Sequence, residues 1–106
     1  MNAYELIERV KSEFESRGFS FERMGNDYIT PHKMVTGTRF IHLEPTWRHN
    51  GTEENVTVTI SVLEVEKVWS EHSGALTRLV KVKTPKDASD KVIANRVAKT
   101  IEAYNK

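Results

Sequence analysis

The chain has 106 residues, a formal net charge of +1, 38% hydrophobic and 29% charged side chains, and no cysteine. Its length fits one domain over residues 1–106 that buries roughly two-thirds of its unfolded surface, and the missing cysteines exclude a disulfide framework and a thiolate zinc site. No apolar run approaches the roughly 20 residues of a membrane span, and the acids in the first turns of MNAYELIERVKSEF do not suit a signal peptide, so a cytoplasmic protein without a membrane partner is expected.

The small net charge hides segregation. Residues 1–27 carry four basic and six acidic side chains, 28–52 three and one, 53–72 one and five, and 73–106 eight and three. A basic final third could steer an anionic partner or neutralise the acidic segment within the fold.

In chain order, the first predicted element is a helix. Asn2 caps it and Glu5 completes a capping box. Ala3, Leu6, Ile7, Val10 and Phe14 form one apolar stripe at helical spacing, and Gly18 suits the left-handed position beyond its end. Phe19, Phe21 and Met24 alternate as a short strand, Gly25-Asn26-Asp27 reads as a turn, and Tyr28-Ile29 starts a return strand that Pro31 ends or confines to an edge. Residues 31–37 carry no pattern.

Thr38 to Trp47 is a predicted strand with Phe40 on one side and Ile41, Leu43 and Trp47 on the other, and Pro45 suggests an edge or a bulge. After a turn at 49–52, Val56, Val58, Ile60 and Val62 alternate with Thr57, Thr59 and Ser61, as one buried and one wet face require. The alternation changes phase at Leu63 and Val65, which suggests a bulge or a second apolar contact on the outer face. Beyond a turn at 70–74, Leu76, Val80 and Val82 read as the inner face of a last strand, with Thr77, Lys81 and Lys83 outside. Thr84-Pro85-Lys86-Asp87 reads as the start of a helix with Thr84 as N-cap. Val92, Ile93, Val97, Ile101 and Tyr104 form its stripe.

The predicted fold class is therefore α+β: a two-layer sandwich of about five antiparallel strands with the N- and C-terminal helices on one face, in the order α-β-β-β-β-β-α. In this order and in length the chain resembles the frataxins. Their acidic ridge on the first helix and following strand is not matched, because Arg9, Lys11 and Arg17 intervene, so no iron chemistry is carried over.

No catalytic motif is visible, and neither enzyme activity nor a cofactor is expected. The leading expectation is a small accessory protein acting through protein–protein association, with a partner or as a homodimer, by way of an edge strand or an apolar sheet face formed by Leu63, Val65, Leu79, Phe40 and Trp69, the alternative for that face being a cover formed by the loop at 31–37. Small motif-free domains of this type also occur in phages and other mobile elements, although no residue here points there. The alternative is nucleic-acid binding through a basic and aromatic patch of Lys33, Arg39, His42, Trp47, Arg48 and His49, extended by Lys81 and Lys83. Weaker readings are a metal site made from His32, His42 and His72 with Glu44, and a catalytic pair of His42 and Glu44.

Overall fold

The structure is a computed structural model that describes residues 2–30, 38–50, 53–65 and 76–106. The elements are α1 (Ala3–Glu15), β1 (Glu22–Met24), β2 (Asp27–Ile29), β3 (Thr38–Asn50), β4 (Glu53–Val65), β5 (Leu76–Pro85) and α2 (Asp90–Tyr104). The five strands form an antiparallel meander in the spatial order β1-β2-β3-β4-β5, as an α+β sandwich requires. Among the described residues, no helix is long and apolar enough to cross a membrane.

Helix α1 forms as its sequence predicts. The Asn2 side chain accepts a hydrogen bond from the Glu5 amide at 2.8 Å, so a polar side chain satisfies an amide that has no partner inside the helix. At the other end the Phe19 amide bonds to the Phe14 carbonyl and the Gly18 amide to the Glu15 carbonyl. This Schellman pattern is made possible by Gly18 at φ 92°. The Phe14 and Phe19 rings meet edge-on at 5.9 Å and seal the turn. Phe19 and Phe21 thus pack against the core ahead of β1 instead of lying within it, and Met24, expected to alternate with them, is exposed.

The core lies between the helices and one face of the sheet. Leu6, Ile7, Val10 and Phe14 from α1, and Ile93 and Val97 from α2, pack on Ile41, Leu43, Val58, Ile60 and Val62. Matching stripes at period 3.6 and period 2 make this contact. Pro45 is accommodated because β2 pairs with β3 only at His42 and Leu43. Beyond Leu43 no strand among the described residues needs an amide from that edge.

Two expectations are corrected at the end of the sheet. Thr84 is fully buried opposite Val58 and continues β5, while the cap of α2 is Ser89, whose hydroxyl accepts from the Val92 amide. The inward phase of Val80 and Val82 runs on through Thr84, and burial on that face outweighs the local capping pattern. The bulge suggested by the phase change falls there, between Val62 and Leu63, with its extra residue on β5. Val62 pairs with Val80 and Leu63 with Arg78, so Leu79 has no partner on β4. The same shift sets Leu76 opposite Val65 in the register of the outward-facing Leu63, not in the inward phase expected of it.

Candidate functional site

Both helices cover the same face of the sheet, and the other face is open in that no helix among the described residues lies on it, although Phe40, Thr59 and Ser61 are buried there. The register builds that open face rung by rung. His42, Ser61 and Lys81 lie in one row; Glu44, Thr59 and Lys83 in the next; Thr46, Thr57 and Pro85 in a third. The central strand contributes only short hydroxyl side chains, and the strands on either side contribute long charged ones. A trough of about 260 Å³ results, lined by Glu44, Thr46, Thr57, Thr59, Arg78, Lys81 and Lys83. Among the described residues its charged lining comprises three cations and one carboxylate. Flexible ammonium and guanidinium groups above threonine hydroxyls form a surface suited to a phosphate-bearing ligand.

The bulge assembles this set. Lys81 and Lys83 share a face by strand alternation, and Arg78, at the opposite parity, would face the helices in an unbroken strand. With Leu79 left out of the ladder, Arg78 pairs with the outward-facing Leu63 and joins the two lysines.

A second cluster adjoins the trough. His42 and Glu44 are two residues apart on β3 and point to the open face, and Asp27 starts β2 one residue before the Tyr28–Leu43 pair. His42 Nε2 donates to Asp27 Oδ2 at 2.8 Å. One ligand atom from each of Asp27, His42 and Glu44 lies within 4.8 Å of the others.

The predicted nucleic-acid patch is not a single surface. Arg39 faces the helices, where its Nε donates to Glu64 Oε2 at 2.7 Å and its Nη1 to the carbonyl oxygens of Tyr104, at 3.2 Å, and Lys106. Trp47 is on that side too, edge-on to Tyr4 of α1 at 6.2 Å between ring centroids. Successive residues of a strand point to opposite faces, so a patch read as a run of sequence is split in two. His42, Lys81 and Lys83 remain on the open face. Lys33 lies outside the described residues, as do the side chains of Arg48 and His49.

The predicted apolar face is also reduced. Phe40 is outward in register but only 5% exposed, so it offers almost no surface to a partner. Leu63 is half-buried and Leu79 is 40% exposed in the bulge. Trp69 and the Val65 side chain lie outside the described residues. Between these few apolar groups and the far end of the strands the face is hydroxyl-bearing and charged. The three-histidine metal site likewise involves His32 and His72, which lie outside the described residues, and His42 has Asp27 and Glu44 beside it instead.

Asp27, Thr59 and Arg78 were not among the site residues expected from the sequence. The hydroxyl alternation at 57, 59 and 61 suggested a wet face, but Thr59 and Ser61 are buried, and only the pairing register shows that Glu44 and Lys83 flank Thr59. Comparison with protein-family models, curated proteins and solved structures finds no match to this chain.

Proposed function

We propose that the protein is a nucleic-acid-binding module that holds phosphodiester backbone on its open sheet face. The observation that supports this reading is the convergence of Arg78, Lys81 and Lys83 over the floor formed by Thr57 and Thr59. Backbone contacts of this kind give affinity with little sequence preference. Among the described residues the trough has no aromatic lining, and Trp47 is on the opposite face, so the reading rests on phosphate recognition without base stacking. The test is fluorescence anisotropy of a labelled single-stranded oligonucleotide across a salt series. The triple replacement Arg78→Ala, Lys81→Ala, Lys83→Ala is expected to weaken binding and to lower the salt slope by about two, at roughly 0.7 per phosphate contact. Binding by the unaltered protein no tighter than about 100 µM at low salt, or binding that the triple variant retains, would end this reading.

A second reading, association with another protein or a second copy of this chain, has one observation in its favour. The bulge leaves Leu79 of β5, the edge strand, exposed near Leu63 of β4. Against edge pairing, two β5 strands laid side by side would bring Lys81 and Lys83 of both copies together. Light scattering separates the cases: a mass twice 12.2 kDa that Leu79→Glu returns to the monomer value would support association.

A further inference from the structure

We propose that Asp27, His42 and Glu44 form a binding site for a divalent transition-metal ion, with zinc the best match. Three independent features of the fold converge on it. The pleat of β3 puts His42 and Glu44 on one face at a spacing of two residues. The β2–β3 register, Tyr28 with Leu43 and Ile29 with His42, brings Asp27 level with Glu44 when it is continued by one residue. The side chains then bring one imidazole nitrogen and two carboxylate oxygens to within 4.8 Å of one another. Tetrahedral zinc, with bonds of about 2.0–2.2 Å to such atoms, holds its ligands roughly 3.3–3.5 Å apart, so only small side-chain rotations are needed.

The donor set selects the metal. One imidazole with two carboxylates suits zinc better than magnesium, which keeps an oxygen-only, octahedral and largely hydrated shell. Binding would replace the hydrogen bond between His42 and Asp27. The imidazole would carry its proton on Nδ1, leaving the Nε2 lone pair for the metal, and Asp27 Oδ2 would turn from acceptor to ligand. All three side chains are on strands, and His42 and Asp27 are half-buried, so the site sits on a rigid frame with one side open. Three protein ligands leave the fourth tetrahedral position to water or to an incoming oxygen. Glu44 also lines the cationic trough, which puts that open position at the trough's rim. The inference does not depend on nucleic-acid binding, because it concerns the metal alone.

Isothermal titration of the metal-free protein with zinc chloride tests it, with magnesium chloride as the contrasting ion. Zinc is expected to bind at one equivalent, and magnesium at least about tenfold more weakly. His42→Ala, Asp27→Asn and Glu44→Gln should each weaken zinc binding by tenfold or more, an effect at least as large as the loss of an outer-shell partner. A variant with His32, His49 and His72 all changed to Ala should bind as the unaltered protein does. Circular dichroism shows whether each variant is folded, and Glu44→Gln, on an exposed position, is the least disturbing of the three. Zinc affinity that survives all three substitutions, or that disappears with the other three histidines, would overturn the proposal. So would the absence of saturable binding below about 100 µM, a concentration at which calcium-sensor sites built of oxygen ligands alone are occupied.

Discussion

The Tyr28 hydroxyl donates a 2.6 Å hydrogen bond to Glu8 Oε1, joining the β1–β2 hairpin to the outer side of α1. Lys11 completes the contact, with Nζ 3.4 Å from Glu8 Oε2 and 4.9 Å above the Tyr28 ring. The bond from Tyr28 lowers the Glu8 pKa below its ordinary 4.5, and Lys11 adds to this against the opposing effect of burial. The same bond, followed by burial, raises that of Tyr28 above 10.0.

Stability should therefore respond to this pair at both ends of the pH scale. Glu8 contributes fully above 4.5, and its contribution is lost as pH falls through its lowered folded value. Tyr28 contributes fully below 10.0 and loses its contribution as pH rises through its raised folded value. Urea unfolding of Tyr28→Phe is expected to show a loss of about 0.5–1 kcal/mol at neutral pH, small because Glu8 is exposed and screened. The difference from the unaltered protein should shrink at both extremes. A difference independent of pH would mean the bond does not form.

Arg39→Ala should destabilise the fold by about 1–3 kcal/mol, since it removes the partner of a half-buried Glu64 and of the carbonyl oxygens of Ala103, Tyr104 and Lys106 at and beyond the end of α2. Arg39→Lys should recover only part of this, because an ammonium cannot serve both directions at once. Thermal unfolding measures the stabilities. In the oligonucleotide titration, folded Arg39→Ala should bind like the unaltered protein, the opposite of what a patch centred on Arg39 requires.

The two candidate caps of α2 should respond with opposite signs. Ser89→Ala removes the hydroxyl that accepts from Val92, at 3.3 Å, and is expected to cost about 0.5–1 kcal/mol. Thr84→Val is expected to stabilise by about 1 kcal/mol, because Oγ1 of Thr84 is buried with no hydrogen-bond partner among the described residues and a methyl group has nearly the same shape. Chemical denaturation of both variants decides the matter; a loss of several kcal/mol in Thr84→Val would reveal a partner for the hydroxyl.

Ile60→Ala probes the centre of the sandwich. Ile60 is fully buried on the helix face of β4, between Leu43 and Val82, and its truncation should cost about 2–5 kcal/mol in an equilibrium unfolding measurement.

Much of the architecture was legible because it depends on period and punctuation. The stripe of α1, its Asn2 cap and Gly18 end, and the alternation of Val56 to Val62 each involve one segment, and local physics decides them. What was not legible depends on pairing. Thr84 looks like a cap until β5 is laid against β4, where its place opposite Val58 holds it in the strand. Leu79 looks like an outward apolar residue of a regular strand until the ladder passes over it. The surface sites share this character. Asp27 is a turn residue in the sequence, and only the β2–β3 register, continued by one residue, brings it level with Glu44. Arg39 and Trp47 belong with His42 by position along the chain but are separated from it by the pleat.

The meander has a kinetic consequence. Each strand pairs with its neighbour in sequence, and the longest ladder joins β3 and β4 through the connection between Asn50 and Glu53. Closing so short a loop costs little chain entropy, so this hairpin can form before any distant contact exists. The helices meet across nearly the whole chain, where Arg9 of α1 pairs with Asp90 of α2, and must join later. Substitutions at Leu43 and Ile60 should therefore slow refolding, whereas those at Val10 and Val97 should mainly speed unfolding. Stopped-flow refolding of these four variants would show whether the sheet forms first and acts as the template on which both helices dock.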